Sequence, residues 1–322
     1  MRWINLVLAL FVSLLNINGV CADTYPNKPV TIIVPLAPGG ISDMTARPLA
    51  AALGQVMGQN FIIENRPGAG GAIGAAYAAN QKPDGYKLLV ALTSMLVIPE
   101  AEKVAGKQPS YELSQFIPIA KVAADPVILL VRADSPWKTL DDLIKDAKSR
   151  PGNLSYSSSG LYGAIHMPME MLSQAAAIKL IHVPYQSGGQ SMIALLGGQV
   201  DMTIQAPGVA SQHLKAGKIR VLASFGNERT KNLAEVPTLK ELGYDVEFFI
   251  WSSMFAPAGT PADIILKLRT AVKQAITEPV FVNAMAGMSA PVAYQDAPEL
   301  QIAIDNESKR LATIVKRIGK ID

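Results

Sequence analysis

Two linked α/β domains are predicted for this chain, and three observations predict them. Strand-like and helix-like segments alternate almost without a break from residue 30 onward, the pattern of sheets covered by helices. The strand-like segments fall into two groups, separated by a long and weakly patterned stretch at residues 98–111. The 322 residues are 49% hydrophobic and only 17% charged, which suffices to bury two cores.

The first group of strands comprises Val30–Val34, residues 60–64 and Lys87–Leu92, with helices over 45–57 and 73–79 between them. The second group begins after Ala123 with strands at 127–132, 153–157, 179–183, 201–205 and 220–224. Helices at 140–148, 166–175, 190–196 and 211–216 alternate with them, an order that predicts parallel strands. Residues 243–261 then bring Phe248, Phe249, Ile250, Trp251 and Phe255 with little charge, and helical segments follow at 262–277 and 297–318. Residues 23–123 with 251–322 are read as domain I, and residues 124–250 as an inserted domain II. The chain crosses between them near 120–125 and again near 248–256, and two such crossings make a hinge over a central cleft.

The first 22 residues read as a signal peptide. Met1 and Arg2 supply a short positive start, and residues 6–15 form an apolar run too short to span a bilayer. Val20, Cys21 and Ala22 make a small-residue site with cleavage after Ala22. Cys21 invites lipid anchoring, but Val20 stands where such sites usually take Gly or Ala, so simple cleavage is preferred. The mature chain would then hold no cysteine and depend on burial rather than disulfides. A formal charge of +3 argues against a nucleic-acid or membrane-surface partner.

Four strand-to-helix turns carry the candidate chemistry. Residues 35–43 read P-L-A-P-G-G-I-S-D: Pro38 stops the strand, Gly39 and Gly40 permit a tight turn, and Ser42 or Asp43 is placed to cap the next helix. Such a turn is either an anion cradle of unpaired N–H groups or an ordinary connection. Residues 155–160, S-Y-S-S-S-G, offer three hydroxyls at a second turn, against the plain reading of a solvated serine loop. Tyr185 to Gly189 form a third turn and Gln205 to Gly208 a fourth. All four lie at the carboxyl ends of predicted strands, where open α/β sheets bind ligands.

Enzyme signatures are weak. Gly68, Gly70, Gly71 and Gly74 follow a strand but miss the register of a dinucleotide fingerprint, and no G-x-S-x-G or H-E-x-x-H occurs. His166, His182 and His213 lack metal-ligand spacing, so neither metal nor cofactor is expected. His166 follows the serine loop closely enough to face the cleft, and Asp201 either orients the site or is a turn carboxylate. A hydrolase built on Ser159 and His166 is the competing enzymatic reading.

Several segments in order resemble the solute-binding receptors of tripartite tricarboxylate transporters, also called Bug receptors. They are Y-P-N-K-P-V-T-I-I-V-P from Tyr25, A-P-G-G-I-S-D from Ala37, E-N-R-P-G-A-G-G from Glu64, P-D-G-Y from Pro83, H-V-P-Y from His182, L-L-G-G-Q-V-D from Leu195 and V-P-T-L-K-E-L-G-Y from Val236. The resemblance implies a two-lobed periplasmic-binding-protein fold of type II character, closing on a small organic acid and docking on a two-component membrane permease. It implies a monomeric receptor without catalysis, for di- or tricarboxylates, acidic amino acids or aromatic acids. It maps one carboxylate to Pro38, Gly39, Gly40 and Asp43, with Thr93 and Ser94 in the same lobe. The opposite lobe would contribute Ser158, Ser159 and Gly160, with Asp201 behind them. Tyr162 and Gly163 stand where relatives often carry Gly and then Ser or Thr, and the phenol favours a flatter or less charged acid. A receptor feeding a sensor instead of a permease is the alternative output.

Overall fold

The computed structural model describes residues 25–321; the signal segment, its cleavage site and Cys21 lie outside the described residues. The first sheet contains β1 (Val30–Val34), β2 (Phe61–Asn65), β3 (Lys87–Leu92), β4 (Phe116–Pro126), β10 (Phe249–Pro257) and β11 (Val292–Asp296), in the order β11-β4-β10-β3-β1-β2. The second contains β5 (Ile128–Arg132), β6 (Ser155–Ser158), β7 (Ile181–Pro184), β8 (Met202–Gln205) and β9 (Ile219–Ser224), in the order β7-β6-β8-β5-β9. Helices α1 (Ile41–Met57), α2 (Ala72–Ala79) and α3 (Ser94–Val104) follow β1 to β3. In the second lobe α4 (Leu140–Ser149) follows β5, and α5 (Met167–Ala176), α6 (Gly188–Leu196) and α7 (Pro207–Lys215) follow β6 to β8. The chain ends through α8 (Ala262–Ala275), α9 (Pro279–Gly287) and α10 (Ala297–Ile318).

The sequence of β1, VTIIV, is apolar at nearly every position because both faces of the sheet are covered. Ile32, Val34, Leu88 and Val90 share a core with Leu49 and Leu53 of α1 and with Leu268 and Val272 of α8. Ile33, Leu89 and Ala91 face the other way, into a core with Leu96 of α3 and with Leu300, Ile304 and Leu311 of α10. Each of these leucines contributes about 1.5–3 kcal/mol by leaving water.

The sheets are mixed, where the alternation of elements predicts parallel ones. β1, β2 and β3 are parallel, as are β6, β7 and β8, but β10 is antiparallel to both β3 and β4, and β5 to both β8 and β9. The cause is the double crossing. β4 carries the chain out of the first sheet and β10 carries it back, so the two must run in opposite directions. They pair from Phe116 opposite Pro257 to Pro126 opposite Phe249. Just beyond, Val127 N–H donates to Phe248 C=O at 3.3 Å.

Strand β4 escapes a pattern search because Pro118, Lys121 and Pro126 interrupt it. Helix α3 escapes because Pro99 lies in its interior. Pro99 lacks the N–H that would bond to Met95 C=O, and the Tyr111 hydroxyl donates to that carbonyl instead at 3.0 Å.

Asp296 closes the first lobe. Its carboxylate caps α10 by accepting from Ala297 N–H at 2.8 Å and takes a two-pronged contact from Arg269, both at 2.9 Å. These bonds hold its carboxyl at about 2. Because the folded pKa is depressed, the stabilisation is present above the unfolded carboxylate range and fades as pH falls toward 2. Urea denaturation of Asp296→Ala is expected to show a loss of about 1–2 kcal/mol at pH 7, shrinking as pH drops from about 4 toward 2.

Candidate functional site

The parallel strands of both lobes aim their carboxyl ends at one cleft, so the turns that follow them meet there. At the first turn Gly40 is extended, and the first helical bond is Met44 N–H to Gly40 C=O at 2.9 Å. The N–H groups of Gly40, Ile41, Ser42 and Asp43 therefore have no acceptor among the described residues, although all four residues are buried. Ser42 Oγ and Thr45 Oγ1 in the same turn are also buried and unpaired. A concentration of donors at a helix N-terminus is suited to an anion.

Neither Ser42 nor Asp43 caps this helix, contrary to the sequence reading; both lie inside its first turn, and Gly40 is the cap residue. Asp43 accepts instead from Gly39 N–H at 3.2 Å, from Asn65 Nδ2 at 3.0 Å and from Arg47 through both oxygens at 2.9 Å. Burial opposes its ionisation, but these bonds hold its carboxyl below the ordinary range. Asp43 thus shapes the turn and is fully engaged within it.

Across the cleft, the three hydroxyls of the serine loop are divided in role. Ser157 bonds to Ser191. Ser158 Oγ accepts from Gly160 N–H at 3.1 Å and lies 2.6 Å from His182 Nε2. Ser159 makes no side-chain hydrogen bond and is 3% exposed, which leaves its hydroxyl for a ligand. Ser94, at the start of α3, is likewise buried and unpaired.

The lobes touch through glycines. Ala37 N–H donates to Gln186 C=O at 3.0 Å and Ser187 Oγ to Pro38 C=O at 3.3 Å. A Cβ on Gly189 would come within 2.6 Å of Gly39 O, and one on Gly40 within 3.2 Å of Gly188 N. A Cβ on Gly160 would lie 2.7 Å from Gly70 N, and one on Gly70 would lie 2.4 Å from Leu161 O. Gly70 and Gly160 also hold φ of +67° and +115°, values that L side chains rarely adopt. The glycine run that fails as a dinucleotide fingerprint is therefore a wall of the closed cleft. The sequence reading names Gly70 but does not place it in the site, does not place Thr45 there, and has Gly189 only as the end of the third turn.

Six sequence candidates are engaged elsewhere. Tyr162 turns its phenol away from the cleft, and the hydroxyl accepts from Ile321 N–H at 3.2 Å. The expectation that this phenol selects a flat or weakly charged acid is withdrawn on that ground. Asp201 accepts from Ser155 N–H and Oγ at 2.8 and 2.9 Å, at the start of β6 and so at the end of the sheet remote from the cleft. Thr93 Oγ1 joins β3 to β10 through Phe249 C=O and Trp251 N–H. Tyr185 points its hydroxyl at Gln199, while Gln205 donates to Gly188 C=O at 2.9 Å and so supports the third turn from below. Gly163 donates its N–H to Gly160 C=O at 3.0 Å and closes the serine turn.

His166 is fully buried. Its Nδ1 accepts from Tyr162 N–H at 2.9 Å and its Nε2 faces Glu170 at 3.7 Å. Neither nitrogen is positioned as a base for Ser159, which removes the geometric ground of the hydrolase reading. The His166 and His182 rings lie 4.1 Å apart, tilted by 33°, and the Tyr156 hydroxyl donates to Glu170. Burial, with His182 adding to it, pushes His166 well below the usual histidine range, and burial brings His182 to about 4. Both rings are therefore neutral supports of the serine loop at neutral pH. The unfolded chain takes up the proton more readily, so stability rises with pH between about 4 and 6.5 and is level above. Denaturation across that range is expected to show a shallower rise for His182→Asn than for the parent chain.

Residues 45–320 match the family described as the tripartite tricarboxylate transporter family receptor. The fold matches the structure of the periplasmic binding protein BugD with a TM-score of 0.87 and 31% identity, covering 92% of this chain and 100% of that one. It also matches MatC from Rhodopseudomonas palustris with bound malate, at a TM-score of 0.85 and 30% identity over 90% of this chain and 100% of that one. A third match is R. palustris Rpa4515 with adipate, at 0.84 and 28% over 92% and 100%. With a two-lobed α/β fold, open helix N-termini around one cleft and a family match across most of its length, this chain belongs to the receptor family of tripartite tricarboxylate transporters.

Proposed function

We propose that this chain captures a small aliphatic dicarboxylate between its lobes and delivers it to a two-component membrane permease. The observation that carries the reading is the set of buried N–H groups from Gly40 to Asp43 left without acceptors. One carboxylate sits on those groups, where each charge-assisted contact is worth up to about 2 kcal/mol in a partly buried site. The other meets the Ser159 hydroxyl across the cleft. Malate and adipate on the relatives support two carboxylates over an aromatic acid, as does the direction of the Tyr162 phenol. Domain I spans residues 23–123 and 251–322, domain II spans 124–250, and the paired strands β4 and β10 are the hinge. Ligand shifts an open–closed equilibrium by its preference for the closed form.

The protein acts as a periplasmic monomer after export, and it binds without turning over its ligand. The signalling alternative shares the same site and differs only in its downstream partner. A sensor-kinase gene beside this one, in place of permease genes, would favour the sensor.

Thermal-shift measurements on the chain from Asp23, against malate, adipate, citrate and benzoate, are expected to show stabilisation by a dicarboxylate. No shift with any acid, in protein that native mass spectrometry finds empty, overturns the carboxylate reading. Ser159→Ala is expected to weaken the hit by about 1–3 kcal/mol.

Gly189→Ala tests closure separately. Its new methyl meets the Gly39 backbone across the cleft, with the carbonyl oxygen nearest at 2.6 Å, so the free, open protein should melt as before. Affinity, measured by calorimetry, should fall by about tenfold or more because the closed form is obstructed. Unchanged affinity would remove closure from the mechanism.

A further inference from the structure

A groove separate from the cleft lies beside the chain crossings, with a volume of about 740 Å³. One wall is a single face of α7, carrying Pro207, Ser211, Leu214 and Lys215. The opposite wall is Ala290 and Pro291 of the first lobe, and Ser211 Oγ approaches Ser289 Oγ at 3.5 Å between them. The floor is the end of β4. β11 covers β4 only as far as Val292 opposite Ala123, so the strand cover stops short of Asp125.

Asp125 lines this groove and is 5% exposed, yet its carboxyl forms no hydrogen bond or ion pair with any described residue. A buried carboxyl without a partner is destabilising, and burial raises this one to about 7. The turns at residues 38–40 and 159–163 do not line the groove, so the carboxylate cleft makes no use of Asp125. Lys215 and Lys231 stand exposed at the rim, and neither is paired with a described carboxylate. Between the buried acid and the exposed lysines the walls are mostly apolar.

The order from floor to rim is carboxyl, apolar wall, ammonium. Its complement is a molecule with an ammonium at one end, a methylene body and a carboxylate at the other. We propose that this groove is a second binding site, for a linear aliphatic amino acid with its charges at opposite ends, its ammonium on Asp125 and its carboxylate at Lys215 and Lys231. The proposal is independent of what the cleft binds. Because the walls belong to different lobes, an occupant also biases how the lobes sit, and so couples to the cleft.

Calorimetry with 5-aminopentanoate on the mature chain at pH 8 tests it, with pentylamine and pentanoate as single-ended controls. Binding is expected, with each control weaker by about tenfold or more and Asp125→Asn weaker to a similar degree. Affinity should also fall from pH 8 to pH 6 as Asp125 takes up a proton. Lys215→Glu combined with Lys231→Glu, both exposed at the rim, should weaken binding by about tenfold or more and serves if the Asn variant does not fold. Absence of binding, equal binding by Asp125→Asn, or direct competition by a dicarboxylate whose own affinity falls in Ser159→Ala would overturn the second site.

Discussion

A backbone N–H removed from water needs an acceptor, and the first turn of α1 leaves four such groups without one. Leaving a buried donor unpaired costs about 1–3 kcal/mol, so a turn of this kind persists only where the rest of the fold holds it in place. Asp43 does much of that work. It fixes the Gly39 amide and is itself fixed by Arg47 and Asn65, so the negative charge nearest the turn is already neutralised. An incoming anion then meets oriented dipoles and is not repelled by a free carboxylate. The serine loop follows the same logic with different parts: His182 and Ser158 position the loop, and Ser159 is left unspent.

The closed cleft depends on backbone meeting backbone. Gly39 against Gly189, Gly40 against Gly188 and Gly70 against Gly160 bring the two lobes closer than side chains would allow. Closure in this geometry excludes water from the donors, and in a drier site each charge-assisted contact gains strength. The glycines are thus steric requirements of the interface as well as features of the turns. The double strand β4–β10 supplies the other half of the device. It is continuous with the first sheet and enters the second lobe at Val127 and Phe248, so the lobes share a short, hydrogen-bonded connection.

Much of this was legible before the structure. The eight strands called from sequence are all present, with ends displaced by no more than two residues, and so are the helices between them. Not every element was found, β10, β11 and α9 among those missed, and two of the misses share a cause. β4 contains two prolines and a lysine, and α3 has Pro99 in its interior, so local propensity argues against both. Tertiary contacts override it, as when Tyr111 supplies the donor that Pro99 lacks. The four candidate turns were singled out because Gly and Ser clusters follow strands there, where helix N-termini offer donors.

The sequence by itself determined that this is an α/β chain and which family it resembles, and it singled out the strand-to-helix turns as candidates. Those properties are written in composition, order and local backbone chemistry. Which residues face the ligand was decided only by the tertiary structure. Tyr162, Asp201 and Thr93 are of the right type in the right neighbourhood, yet each is bound elsewhere by a partner far away in the chain. Gly70 and Gly189, which carry no side chain to suggest a role, form the wall instead. A side chain's direction depends on long-range packing and on competition for hydrogen bonds, and neither is encoded in the few residues on either side of it.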